Sequence, residues 1–181
     1  MADAVLAYPG DDGWCLWTPG DERGSCVPAA LHDAAVAWAT SSRDLSADVP
    51  LALGFWVPAG VVPDGTARFL RGALEPGVTL QEMREAWSER PNLEGSRVLV
   101  HGTYLLSELG QVGPLGDGVV ESVTSADDDG GPVVVSHRVV MPQPDGTALI
   151  CEFDTFAAAV AEEFEVAVLH LVANLSWADA S

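Results

Sequence analysis

The C-terminal part of the chain, from residue 132 onwards, restricts the possible folds more than any other part. Two apolar segments, "PVVVSHRVVM" (132–141) and "TALICEF" (147–153), flank "PQPDG", whose Pro, Asp and Gly are typical of a tight turn. After the second segment, the spacing of apolar residues changes from two to three or four. We therefore predict an antiparallel hairpin that leads into a long helix.

The predicted C-terminal helix begins at Asp154 and Thr155, because both residue types are favourable N-caps. Apolar residues then recur at spacings of 4, 4, 3, 4 and 4: Phe156, Val160, Phe164, Ala167, Leu171 and Leu175. This pattern predicts an amphipathic helix of about five turns. Its apolar side needs a sheet or another helix to cover it.

The strands before this helix carry apolar residues on both faces, for example Val135 and Val139 on one and Val134 and Val140 on the other. A sheet buried on both faces needs helices on both. The rest of the chain supplies further strands at 13–19, 51–58, 66–74, 97–106 and 119–125, and helices at 28–40 and 79–87. We predict an α+β fold over residues 1–181, a single-domain α/β/α sandwich with a mostly antiparallel sheet and a long C-terminal amphipathic helix.

The second of these helices has a clear start signal. Thr79 and Glu82 have the S/T-x-x-E spacing of a capping box, in which each side chain bonds to the backbone of the other residue. Leu80, Met83 and Trp87 follow at positions that share one side of a helix. The sequence therefore predicts a short amphipathic helix from about residue 79.

The charge of the chain is strongly acidic. It has 27 Asp and Glu residues against eight Arg and no Lys, which gives a formal net charge of −19 at pH 7. Such a charge repels phosphates, so it disfavours nucleic acid and anionic membranes as partners. It favours a basic protein partner, with acidity that only keeps the protein soluble as the alternative.

The cysteines and the N-terminal residues indicate the compartment. Cys15, Cys26 and Cys151 cannot all pair with one another, and secreted disulfide scaffolds usually carry more cysteines in even numbers. The first residues lack the basic region and apolar run of a signal peptide, and no apolar run is long enough to predict a membrane span. We therefore predict a cytoplasmic protein with reduced thiols.

The sequence contains no recognisable catalytic motif. Without lysine it has no Walker A loop, Schiff-base lysine or Ser–Lys dyad. The histidines are far apart and have no zinc-motif spacing: His32, His101, His137 and His170. The acidic stretch 126–131 lacks the glutamate of an EF-hand loop, and the glycines of 110–118 precede a strand where dinucleotide binding needs a helix. We predict no catalytic residue, metal or cofactor.

Some chemically reactive residues have structural interpretations. His137 alternates with Val135 and Val139, so we expect it in the core or at the rim of the sheet. Cys151 alternates with apolar residues in its own strand, which predicts a buried and inert thiol. His170 lies beside the apolar stripe of the C-terminal helix, and we expect it to face solvent.

The order of segments in residues 97–178 resembles a known arrangement. A segment with "VGPLG" precedes a strand, then "VVSHRVVMPQPDGTALICEF", then a long helix that ends in "NLSW". This order is similar to that of the superfamily containing the photosystem II extrinsic subunit PsbP, the fungal Ran-release factor and actinobacterial LpqN-type proteins. Comparable places are held by Gly113, Pro114, Ala148, Ile150, Phe153 and Trp177. The resemblance implies an α/β/α sandwich and chiefly non-enzymatic roles, as adaptors, assembly factors, secretion-effector chaperones and lipoproteins.

Aromatic residues give the one positive indication of a binding surface. Phe55 and Trp56 are adjacent in a predicted strand, so they point to opposite faces of its sheet. If one face is open, one of them is exposed and suits a partner-binding anchor; if both faces are covered, both belong to the core.

We therefore predict a non-catalytic protein-binding module, adaptor or chaperone-like and linked to a secretion system, with Phe55 and Trp56 as its partner-binding residues. The partner is another protein, of basic character. Two alternatives stay open. One is an acidic immunity or antitoxin protein that matches a basic toxin. The other is an enzyme whose site is assembled from scattered residues such as His101, His137 and Asp154.

Overall fold

The structure is a computed structural model that describes residues 5–10, 12–24, 27–45, 49–59, 62–89, 91, 93 and 95–178. Its strands are β1 (Val5–Ala7), β2 (Trp14–Trp17), β3 (Ala52–Trp56), β4 (Gly65–Ala73), β5 (Ser96–Leu105), β6 (Val119–Asp127), β7 (Val133–Pro142), β8 (Thr147–Thr155) and β9 (Ser176–Ala178). Its helices are α1 (His32–Leu45), α2 (Leu80–Trp87) and α3 (Ala161–Asn174). Short 3-10 turns at Ala29–Leu31 and Ala158–Val160 lead into α1 and α3.

Seven strands form one sheet in the order β2-β3-β4-β8-β7-β6-β5, and all neighbouring strands are antiparallel. The α+β class and the mostly antiparallel sheet are therefore confirmed. The predicted β7–β8 hairpin is present, with Val139 opposite Cys151. On its other side β8 pairs with β4, where Cys151 lies opposite Phe69. The last long strand of the chain thus lies at the centre of the sheet.

The helix α3 packs on the face of the sheet that carries Phe69 and Phe153. Its buried residues recur at helical spacing: Phe164, Ala167, Val168, Leu171 and Val172. The ring of Phe164 is fully buried and lies against the rings of Trp14 and Trp56. Burying a phenylalanine in this way stabilises the folded state by roughly 1.5–3 kcal/mol, so α3 is an integral part of the core.

The helix α1 packs against the opposite face of β3. Ala35 and Ala39 of α1 lie in one apolar cluster with Leu53 and Phe55 of that strand. Side chains of successive strand residues point to opposite faces, and the next residue, Trp56, packs against α3 instead. At β3, therefore, the sheet has a helix on each face.

The helix α2 begins as the sequence predicts. The N–H of Glu82 donates to Thr79 Oγ1 (3.2 Å), and the N–H of Thr79 donates to Glu82 Oε2 (2.9 Å), which completes the capping box. Met83 then packs against Val119 of β6 and Val140 of β7. The helix thereby covers the ends of these strands on the face opposite to α3.

The start of the C-terminal helix differs from the prediction. Asp154 and Thr155 are the last residues of β8 and not N-caps, because cross-strand pairing with β7 continues through both. The hydroxyl of Thr155 then accepts a hydrogen bond from the N–H of Ala157 (3.0 Å), and the α-helix begins only at Ala161. Phe156 consequently lies in the turn, where it is 65% exposed, and does not belong to the buried stripe.

Two glycines permit close packing against α3. A Cβ atom at Gly65 would overlap the ring of Phe164, and one at Gly113 would overlap the backbone carbonyl of Ala173 near the end of the helix. The glycine-rich segment 110–118 is a loop, as predicted, and Gly113 has a packing role there. In the part of the chain that the structure describes, no helix has the length and apolar character that a membrane crossing requires.

Candidate functional site

Phe55 and Trp56 are core residues, with exposures of 3% and 4%. The ring of Phe55 lies edge-on to Trp17, with 4.9 Å between centroids. The ring of Trp56 lies 5.4 Å from that of Phe164, and its indole N–H donates to the carbonyl of Asp12 (3.2 Å). The prediction that one of them is an exposed partner anchor is therefore wrong, because helices cover both faces of the sheet at β3.

His137 is buried on the α3 face, as predicted, with 4% exposure. Its Nδ1 lies 2.9 Å from Ser122 Oγ, and its ring centroid lies 5.8 Å from that of Phe164. The Nε2 atom is buried and has no hydrogen-bond partner among the described residues. Burial lowers the pKa of His137 to about 4, so the imidazole is neutral at pH 7.

The side chains of His101, His137 and Asp154, which the enzyme alternative places in one site, do not all lie on the same face of the sheet. His101 and Asp154 lie in one row across the sheet, on the face opposite to α3, whereas His137 points to the α3 face. His170 is exposed, as predicted, and its Nδ1 lies 2.7 Å from Asp12 Oδ2. The described ranges contain no group of three or more His, Cys, Asp or Glu side chains that could hold a metal ion.

The structure describes the positions of two of the three cysteines. Cys151 is fully buried, and burial raises the pKa of its thiol, so the predicted inert character agrees with its surroundings. Cys15 lies half-buried on β2. Cys26 lies outside the described residues. The reduced state of all three thiols therefore remains a prediction.

A polar cleft of about 320 Å³ lies on the face of the sheet opposite to α3. A row of alternating charges crosses its floor, one residue from each of four neighbouring strands at directly opposite positions: Arg68, Glu152, Arg138 and Glu121. Arg68 donates to Glu152 Oε2 through Nε (2.8 Å) and through Nη2. The Nε of Arg138 lies 4.0 Å from the other oxygen of Glu152, which therefore stands between two guanidinium groups.

The next row of the cleft holds a carboxyl group with few partners. Ser136 and Asp154 lie directly opposite each other, and Ser136 Oγ donates to Asp154 Oδ1 (2.5 Å). Burial raises the pKa of Asp154 and nearby Glu152 raises it further, while the hydrogen bond from Ser136 and the charge of Arg68 act against this. No other hydrogen bond and no ion pair reaches the carboxyl group of Asp154 from any described residue.

A second concave surface lies on the α3 face, and we call it the β5–α3 groove. It has a volume of about 190 Å³, and its walls include Val100 and Tyr104 of β5 together with Glu162 and Glu165 of α3. Val100 is 63% exposed and Tyr104 is 40% exposed. Among the described strands β5 pairs only with β6, so its outer edge is open along the groove.

The groove is acidic along its helical wall. Glu162 and Glu165 are exposed, and neither forms an ion pair with a described residue. Glu163 adds a third exposed carboxylate on the same turn of α3. Within the part of the chain that the structure describes, the groove therefore combines apolar side chains, an unpaired strand edge and uncompensated negative charge.

No protein-family model matches this chain, and a comparison with curated proteins also gives no match. The assignment of a functional site therefore depends on the geometry of the cleft and the groove.

The sequence interpretation missed both surfaces, although part of the signal was present. In "LICEFD" (149–154), Glu152 and Asp154 alternate with Cys151 and Phe153, which is the pattern of a strand with one apolar and one charged face. The charged residues that lie opposite them on neighbouring strands could not be identified from the sequence. Those neighbours are set by the strand order, which places β8 between β4 and β7.

Proposed function

We propose that this protein is a non-catalytic protein-binding module that holds an extended, basic segment of another protein along β5. The observation that carries the proposal is the β5–α3 groove, where exposed apolar side chains of an edge strand lie beside two glutamates. The resemblance of residues 97–178 to the superfamily of PsbP and LpqN-type proteins supports the same class of function, since its members are chiefly non-enzymatic.

The bound segment adds to β5 as an extra strand. The outer edge of β5 presents backbone N–H and C=O groups that pair with no described strand, and an added strand supplies their partners. Alternate side chains of the added strand point towards the groove, where they contact Val100 and Tyr104. Backbone hydrogen bonds supply affinity in this binding mode, and the groove selects the side chains.

Charge selects a basic segment. Lysine or arginine side chains that enter the groove are attracted to Glu162 and Glu165, and the net charge of −19 steers a basic partner towards the protein. A second copy of this chain fits the groove less well, because both copies carry the same large negative charge.

The resemblance to the PsbP-like superfamily also implies an arrangement of the whole domain. We propose that the helices and the sheet form an α/β/α sandwich of the PsbP-like superfamily, with α3 on one side and α1 and α2 on the other. Within that frame the module is an adaptor or chaperone for a basic protein, such as a client of a secretion system, and it acts in the cytoplasm.

A designed peptide tests the proposal. A short labelled peptide of alternating lysine and valine, long enough to pair with residues 100–105, is titrated with the protein, and its fluorescence anisotropy is measured. We expect saturable binding that weakens as salt is added. The same peptide with N-methyl groups on the amides that face β5 should not bind, because it cannot complete the strand pairing. A peptide of alternating glutamate and valine should not bind either.

Paired variants separate the groove from net charge. The double variant Glu162→Gln/Glu165→Gln should bind the basic peptide roughly three- to tenfold more weakly, as expected for two partly exposed ion pairs. The matched variant Glu85→Gln/Glu89→Gln removes the same charge from an exposed region at α2 and should bind like the parent. Equal losses in the two variants would contradict the groove. If the protein forms a dimer that the peptide does not dissociate, the edge of β5 binds a second copy of this chain and not a basic segment of another protein.

A further inference from the structure

We propose that the polar cleft binds a small zwitterion, an ammonium and a carboxylate joined by a short aliphatic chain. The ammonium contacts Asp154 and the carboxylate contacts Arg138. The cleft lies on the face of the sheet opposite to the β5–α3 groove, so this inference is independent of the proposed protein-binding function.

Asp154 provides the negative end of the site. Its Oδ1 accepts from Ser136, and no described residue bonds to its Oδ2. The guanidinium of Arg68, whose charge acts on Asp154, is already engaged by Glu152 and by the carbonyl of Ser42 (3.5 Å). A partly buried carboxylate that forms no ion pair with a described residue is stabilised by a ligand that brings a cation.

Arg138 provides the positive end. Its guanidinium makes no hydrogen bond with any described residue, and its closest carboxylate oxygen, on Glu152, is 4.0 Å from Nε. The guanidinium carbon lies 5.1 Å from the centroid of the Trp87 ring. A cation–π contact at this distance holds the guanidinium near the ring and leaves its N–H groups available, and a carboxylate can accept two of them.

The separation of the two strand positions suggests the length of the ligand. Asp154 lies opposite Ser136, which is two residues before Arg138 on the same face of β7. These positions are about 7 Å apart along the strand, a distance that short ω-amino acids such as γ-aminobutyrate and δ-aminovalerate span. A purely cationic or purely anionic ligand would compensate only one of the two groups.

The walls and size of the cleft agree with such a ligand. Leu93 and Val123 line it and offer apolar contact to a methylene chain. A volume of about 320 Å³ is at the lower end of the range for ligand sites, which favours a small molecule.

Amide proton–nitrogen correlation spectra of the full chain test the inference. Glycine, γ-aminobutyrate and δ-aminovalerate are titrated separately, with valerate and pentylamine as analogues that each keep one charge. We expect saturable shifts for the longer zwitterions, centred on residues 136–138 and 152–154, and at least about tenfold weaker binding of valerate and pentylamine. Absence of saturable shifts, or equal binding of the single-charge analogues, would overturn the proposal.

Variants locate the two charges. Asp154→Asn and Arg138→Met should each weaken δ-aminovalerate binding by about tenfold or more. Asp33→Asn and Arg84→Met change the same residue types outside the cleft and should bind like the parent. Parent-like binding by both cleft variants would refute the assignment. The dispersion of the spectra reports whether each variant is folded. The comparison of ligands uses the parent protein, so it remains a valid test even if a variant does not fold.

Discussion

Acidification should destabilise the folded state through His137, and the effect is large enough to measure by comparing the parent with a variant that lacks this histidine. The imidazole is 4% exposed, its Nε2 has no partner among the described residues, and burial lowers its pKa from 6.5 to about 4. A proton therefore binds the unfolded chain at a pH where the folded protein excludes it. Stability is fully present above pH 6.5 and is lost as the pH falls towards 4.

The size of the loss follows from the two pKa values. With 6.5 in the unfolded chain and about 4 in the folded protein, His137 alone lowers the free energy of unfolding by about 2 kcal/mol at pH 5 and about 3 kcal/mol at pH 4. Such a change is a large fraction of the stability of an ordinary domain.

Urea unfolding followed by tryptophan fluorescence, at several pH values between 7 and 4, measures this loss. His137→Gln keeps a polar side chain at the position and removes the titration. Asp154, whose pKa is raised in the fold, contributes with the opposite sign because its protonation favours the folded state as the pH falls. It is present in both proteins, so its contribution cancels when the parent is compared with the variant.

The parent should lose about 2 kcal/mol more than His137→Gln between pH 7 and pH 5. If the two proteins lose stability in parallel, the imidazole is not held neutral in the core, and the argument from its burial fails. A direct titration of the His137 ring by NMR provides a second check, with a midpoint near 4 expected in the folded protein.

Three further predictions concern packing and thiol chemistry. Trp56→Ala and Phe164→Ala should each lower the free energy of unfolding by roughly 3–5 kcal/mol, because both rings are buried against each other; a change in Tm of only a degree or two for either would contradict the core described here. Gly113→Ala should cost about 1–3 kcal/mol in urea unfolding, since its Cβ would meet the carbonyl of Ala173, and a neutral substitution would show that this contact is absent. Cys151 should react with iodoacetamide only when the protein unfolds, as measured by peptide mass spectrometry; rapid modification of this thiol in the native protein would disprove its burial.

Local patterns in the sequence predicted most of the elements. The capping box at Thr79 and Glu82 placed the start of α2, and the turn at "PQPDG" placed the β7–β8 hairpin, because both depend on residues close together in the chain. The burial of Cys151 and His137 followed from alternation along single strands. The spacing of apolar residues gave the buried side of α3 but not its start, because pairing with β7 extends β8 through Thr155.

Two further features depended on contacts between distant segments. β1 and β9 each contribute only three residues and pair across almost the whole chain, so neither has a strand pattern of its own. The burial of Phe55 and Trp56 required a helix on each face of β3, and a single strand does not show which faces are covered.

The candidate sites were decided entirely by tertiary structure. Arg68, Arg138 and Glu152 belong to three separate strands, and they meet only because β8 pairs with both β4 and β7. The β5–α3 groove likewise depends on β5 being the last strand of the sheet and on α3 lying beside it. Composition and local spacing determine whether a segment forms a helix or a strand. Strand order depends on which long-range pairing buries the most apolar surface, and no single segment of the sequence contains that information.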